Sequence, residues 1–137
     1  MEKCNYRKDP HQDIDHVFRD LLPAHGMVER PAQVELSHQM LDTMLNGSIA
    51  LCDAGTGIGK TYAYLVAGVV FRRYRSRAGL PNQPLLISTS SIALQGAIIH
   101  DYLPFLSKVM MADGMLDSPL PSSAAERKNP TTSAMPA

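Results

Sequence analysis

Ala54-Gly55-Thr56-Gly57-Ile58-Gly59-Lys60-Thr61 is the stretch of this chain best equipped for chemistry. Its spacing is that of a phosphate-binding loop, G-x-x-x-x-G-K-[ST], with Ala54 in place of the first glycine. Three glycines within five residues allow backbone N–H groups to converge on one anion. Lys60 offers a point charge for β- and γ-phosphates, and the Thr61 hydroxyl can ligate the Mg²⁺ that accompanies them. A glycine-rich turn without a ligand is the plainer alternative. Gly59-Lys60-Thr61 in this context argues against it.

Such a loop needs a strand before it and a helix after it. Ser48-Ile49-Ala50-Leu51-Cys52 reads as the strand, and residues 62–73 read as the helix. A helix starting near Gly59 would add unpaired N–H groups and a positive dipole end. After a loop at 81–84, Pro84-Leu85-Leu86-Ile87-Ser88-Thr89 reads as a second buried strand. Two strands joined by a helix make a βαβ unit, so the expected fold class is α/β, with a small parallel sheet flanked by helices. Upstream, Asp13 is placed to cap a helix with Ile14, Val17, Phe18, Leu21 and Leu22 on one face, ended by Pro23 and Gly26. Pro31 opens a second helix, with Val34, Met40, Leu41, Met44 and Leu45 as its apolar face and Gly47 as its stop. Downstream, helices are expected over 92–100 and 104–111.

At 137 residues and 45% apolar composition the chain has room for one domain with a core. Its formal net charge of zero compels neither a nucleic-acid nor a membrane partner. Cys4 and Cys52 suggest no disulfide framework and no metal site. The first eight residues lack an apolar core, so they do not read as a secretory signal. The longest apolar run, 62–71, is about half of what a bilayer requires. The expectation is a cytoplasmic protein with a flexible N-terminus over 1–11 and a Pro-, Ser-, Thr- and Ala-rich disordered tail over 117–137. His11, Asp13, Asp15 and His16 match no strong metal-ligand spacing and suit a helix start better. Arg72, Arg73, Arg75 and Arg77 around Tyr74 read as the solvated end of a helix, with a phosphate backbone as the alternative partner.

Four strings occur in order: Arg30-Pro31-Ala32-Gln33, the stretch from Asp53 through Leu65, Ser88-Thr89-Ser90-Ser91-Ile92-Ala93-Leu94-Gln95, and Asp101-Tyr102-Leu103-Pro104. This series resembles the start of the DinG/XPD-like superfamily-2 DNA helicases, over roughly residues 14–110. The resemblance implies a partial P-loop NTPase domain of RecA-like type over 12–116, with ATP and Mg²⁺ as ligands. It makes Gln33 the reader of the adenine edge, since an amide both donates and accepts, with Arg30 close by. Without it, Gln33 would be an exposed glutamine on a helix surface. It makes residues 54–61 the phosphate loop, with Thr61 holding Mg²⁺ through the nucleotide. It sets Thr89, Ser91 and Gln95 against a single-stranded DNA backbone, although a strand end with helix-capping residues accounts for them nearly as well.

The departures matter too. No apolar strand ending in Asp-Glu follows residue 95, and Asp101 and Asp113 lack that context. Phosphoryl transfer needs such an acidic motif, so no catalytic residue is assigned and this chain alone is expected to hydrolyse ATP barely, if at all. The four cysteines of the family's iron–sulfur cluster are missing, and that cluster is not expected here. A second motor domain is missing as well, and Gln95-Gly96-Ala97 is less polar than the family's run. The expected function is ATP binding, as the N-terminal part of a DinG-like DNA helicase inactive alone. Single-stranded DNA and the remaining part of a split helicase are the candidate partners, and a membrane is not. The alternatives are a non-catalytic regulatory module that binds nucleotide or a partner, and a gene fragment without function.

Overall fold

A computed structural model describes residues 9–52 and 59–123. Residues 54–58 of the phosphate loop fall outside that range, as do 1–8 and 124–137.

The first helix, α1 (Pro10–His16), begins at Asp9, whose carboxylate accepts from the His11 N–H at 3.0 Å, with Pro10 at the first helical position. Asp13, expected as the cap, lies inside the helix and is buried. α1 runs on through a π-helical turn (Val17–Leu21) into α2 (Leu22–Ala24). The π turn has a local cause. Pro23 cannot donate, and in a regular helix its ring would press on the carbonyl four residues back. The Leu22 N–H instead reaches back five residues to Val17 O, which widens the turn just before the proline. The same device recurs downstream. α5 (Ile92–Ala97) passes through a π turn (Ile98–Tyr102) into α6 (Leu103–Ala112), and the second residue of α6 is Pro104. The two helices expected over 92–100 and 104–111 are therefore one continuous path.

Between these lie the two long helices. α3 (Pro31–Asn46) starts on its proline and stops at Gly47, where φ of +63° lets the Ser48 N–H return to Thr43 O at 3.1 Å. α4 (Lys60–Arg77) forms the centre of the molecule. Its Leu65, Val66, Ala67, Val69 and Val70 are buried against Val34 and Leu41 of α3, Ile14, Val17 and Phe18 of the first helical path, and Leu106, Val109 and Met110 of α6. Polar ties reinforce this packing. Ser37 Oγ donates to Ala63 O at 2.9 Å between α3 and α4, and Arg73 Nη1 donates to Asp13 Oδ2 at 2.7 Å between α4 and α1. The Leu120 N–H donates to Ser107 Oγ at 3.0 Å, folding the segment after α6 back onto it.

The α/β expectation is overturned: among the described residues there is no strand and no sheet. The run at 48–52 carries no ladder, and Ile49 and Leu51 stand 95% and 100% exposed. The run at 84–89 is also unpaired, with Leu86 at 90% exposure. It lies against α4 without a partner strand, with Leu85 so close to Gly68 that a Cβ there would sit 2.2 Å from Leu85 Cδ2. The physical reason is cooperative. A parallel pair is stable when further strands flank it and helices cover both faces, and two short strands alone are marginal. Here the apolar surface of α4 is satisfied by helices instead. Among the described residues no helix is long and apolar enough to cross a membrane.

Candidate functional site

The start of α3, the start of α4 and the π turn before α6 converge on an open cleft of about 400 Å³. Arg30, Gln33, Gly59, Thr61, Tyr62 and Tyr102 line it. Gln33 lies in the first turn of α3 and is only 3% exposed, so it is no surface residue. Its Nε2 donates to Gly59 O at 3.0 Å, tying the first turn of α3 to the residue that caps α4. One turn further along α3, the Ser37–Ala63 bond repeats the tie.

Gly59 is required twice over. Its φ of +77° lies in the left-handed region that L side chains avoid, and a Cβ there would stand 2.2 Å from Gln33 Nε2. Among the described residues no side chain caps the helix that follows, and its positive end lines the cleft through Gly59, Thr61 and Tyr62. Lys60 is exposed at the first helical position, and Thr61 beside it is half-buried. The opposite wall is aromatic. Tyr62 and Tyr102 meet edge to face, with centroids 4.9 Å apart and planes at 80°. Burial, and then the charges of Tyr102 and Asp101, push the Tyr62 phenol above its ordinary pKa, which keeps its hydroxyl protonated as a donor.

The structure thus brings together Arg30, Gln33, Gly59 and Thr61, which the sequence singled out from two separate strings. Ala54, Gly55, Thr56, Gly57 and Ile58 lie outside the described residues. The two tyrosine walls were not foreseen. Tyr102 stood in the fourth string without a role, and Tyr62 follows directly on Thr61.

Thr89, Ser91 and Gln95 do not join this cleft. Ser91 caps α5, its Oγ accepting from the Leu94 N–H at 3.1 Å, and Thr89 Oγ1 accepts from the Ser91 N–H at 3.1 Å. Thr89 and Gln95 line a different open cavity of about 550 Å³, walled by Leu65, Leu85, Ile98 and Leu103. The arginine cluster is engaged within the fold. Arg73 pairs with Asp13, Arg77 lies 4.0 Å from the same carboxylate, Arg72 donates to Asn82 Oδ1 at 3.4 Å, and Arg75 donates to Pro81 O at 3.2 Å. Among the described residues, no group of three or more His, Cys, Asp or Glu side chains is arranged around one metal position.

Over 57 residues the chain is 42% identical to the ATP-dependent DNA helicase DinG of Photobacterium profundum, covering 42% of this chain and 7% of that protein. It is 31% identical over 91 residues to the ATP-dependent DNA helicase YoaA of Haemophilus influenzae, covering 66% and 13%. It is 30% identical over 92 residues to the 3'-5' exonuclease DinG of Bacillus subtilis, covering 67% and 9%. The chain is a partial relative of the DinG-like helicases. It spans between 7% and 13% of the length of these three curated proteins. It matches no protein-family model. No solved structure matches it either.

Proposed function

We propose that the cleft between α3 and the start of α4 binds ATP with Mg²⁺, as the nucleotide-binding part of a DinG-like DNA helicase. The observation that carries this reading is the bond from Gln33 to Gly59, which joins a buried amide to the root of Gly59-Lys60-Thr61 at one cavity. The N-terminal N–H groups of α4 and the Lys60 ammonium suit the phosphates. The Thr61 hydroxyl suits Mg²⁺ shared with the nucleotide. Gln33 directs one N–H to Gly59 O, and an amide's paired donor and acceptor suit an adenine edge. Tyr62 and Tyr102 give the base an apolar wall. The names of the relatives support ATP and DNA as partners. Single-stranded DNA and further helicase segments belong to this reading as partners, with the exposed Thr89 and Ser91 as DNA-backbone candidates.

Binding of this kind does not itself accelerate hydrolysis, because only interactions that strengthen in the transition state do. Among the described residues that line the cleft, none is placed to orient an attacking water, so the reading is ATP binding without turnover by this chain.

Calorimetric titration with an ATP analogue and Mg²⁺ tests it. Hydrogen bonds to charged groups contribute about 1.5–3 kcal/mol, so Lys60→Ala is expected to weaken binding by about 10- to 150-fold. The unmodified chain is expected to prefer ATP to GTP, and Gln33→Ala to erode that preference. Equal affinities for Lys60→Ala and the unmodified chain would overturn the phosphate-site assignment. Phosphate release stimulated by DNA and abolished by Lys60→Ala would overturn the absence of turnover.

A further inference from the structure

His11 on α1 and His38 on α3 face each other through their Nδ1 atoms, 2.6 Å apart. Their ring centroids are 4.9 Å apart and their planes are inclined by 25°, so the two rings meet edge to edge through these nitrogens. The far nitrogen of each ring is already committed. His11 Nε2 lies 2.6 Å from Asp42 Oδ1, and His38 Nε2 lies 2.7 Å from Asp15 Oδ1. An ionised carboxylate only accepts, so each Nε2 must carry the hydrogen. In a neutral imidazole the other nitrogen is then a bare lone pair. Two lone pairs therefore point at one another at hydrogen-bond distance, an arrangement that is repulsive unless a cation lies between them.

A proton is one such cation, and a divalent metal is the other. Three features favour the metal. An imidazole whose second nitrogen donates to a carboxylate is the usual arrangement around a ligating histidine, because the carboxylate fixes the ring and raises its basicity. Two neutral imidazoles and two carboxylates sum to two negative charges, which a divalent ion balances and a single proton does not; Arg19, 4.0 Å from Asp15, is a longer-range cation beside the site. Both histidine side chains also keep about a quarter of their surface in solvent, at 28% and 25%, so water can complete the coordination. At tetrahedral Zn²⁺, with Zn–N of about 2.0–2.1 Å, two ligand nitrogens stand roughly 3.3 Å apart. The rings need to part by less than about 1 Å to reach that spacing.

We propose that His11 and His38 form a two-histidine site for a borderline-soft divalent transition metal such as Zn²⁺, pinning α1 to α3, with Asp15 and Asp42 holding the rings from behind. Two protein ligands leave positions for water, so this is an accessible cross-brace and not a closed structural site. Nitrogen ligands exclude Mg²⁺, which demands oxygen. The site is therefore separate from the proposed nucleotide cleft. It also differs from the sequence quartet at 11, 13, 15 and 16. Asp13 is taken by Arg73, and His16 by Asp20 and Asp113.

The test is a titration of the full chain, stripped of metal and free of nucleotide, with ZnCl₂ by calorimetry, while the imidazole signals are followed by NMR. The expected result is one Zn²⁺ per chain, a raised Tm, and shifts confined to the His11 and His38 rings. His38→Ala and His11→Ala are expected to abolish that binding event, and Asp42→Asn to weaken it by about 10- to 100-fold. His16→Ala is expected to leave it intact, and MgCl₂ to compete poorly. The NMR arm needs only the unmodified chain, so a variant that fails to fold does not remove the test. No saturable Zn²⁺ binding would overturn the proposal and leave a shared proton between the rings. Zn²⁺ binding that shifts other residues, or that survives loss of both histidines, would overturn it equally.

Discussion

At Gly59 two independent constraints coincide, a φ of +77° and the Gln33 amide pressed against the position a Cβ would take. Gly26 separates them, because it has a φ of +89° and nothing within 4 Å of its own Cβ position. Forcing an L residue into such a conformation costs about 1–3 kcal/mol. Gly26→Ala is expected to show that cost alone in urea unfolding. Gly59→Ala is expected to exceed it, because the Gln33 amide must give up its bond to Gly59 O to make way. Equal losses in the two variants would mean that the amide swings aside freely. Much at this scale was legible in the sequence. Gln33 and Gly59 stand in two strings that the sequence singles out, and the fold brings them into contact. Tyr102 had no readable role, because nothing in one dimension tells which aromatic ring closes a cleft begun some seventy residues earlier.

The elements are joined by charges whose burial decides their importance. Asp13 and Arg73 keep only 9% and 16% of their side chains exposed, and Arg73 Nε also donates to Met115 O at 3.0 Å. Removing one partner of a buried pair strands the other and costs about 3–5 kcal/mol. Arg77, 4.0 Å from the same carboxylate, offsets part of this. Arg73→Ala is therefore expected near the lower end, about 3 kcal/mol, by urea unfolding, while Arg72→Ala is expected to cost little. A loss for Arg73→Ala no larger than for Arg72→Ala would show the pair to be solvated. The sequence placed all four arginines at a helix end; that one of them reaches back sixty residues to a buried acid could not be read from it.

His16 makes the equivalent link from α1 to the end of α6. Its two nitrogens lie 2.9 Å from Asp20 and 2.9 Å from Asp113. Both carboxylates accept, so the doubly protonated ring is favoured and its pKa rises above the ordinary histidine value, chiefly through the bonds to Asp20 and then Asp113. A raised folded-state pKa adds stability that is fully present below the unfolded value, about 6.5, and is lost as pH climbs through the folded value. The stability gap between the unmodified chain and His16→Gln is thus expected to be wider near about pH 6 than near about pH 9. A gap that widens with pH would reverse the assignment. The exposed side of this cluster limits the effect to a modest one.

Across the whole molecule, the expected helices are present and the expected sheet is not found among the described residues. Apolar spacing at 3.6 residues, Pro31 at a helix start and Gly47 at its end are local signals, and the chain obeys them. A strand is different, because its stability resides in neighbours. Residues 48–52 and 84–89 have strand-like composition, and that composition is the same whether a partner strand exists or not. The result is a helical body that leaves Ile49, Leu51 and Leu86 in solvent. Exposed apolar segments of this kind invite association. Leu51→Ser combined with Leu86→Ser is expected to reduce concentration-dependent association in light scattering. It is expected to leave Tm almost unchanged, since substitutions at exposed positions stay within about 0.5 kcal/mol. The same pair of changes in a covered position would remove buried apolar surface and cost about 2–5 kcal/mol each. A large fall in Tm would therefore show that something covers these runs in solution, and the helical body would not be the form that the free chain adopts.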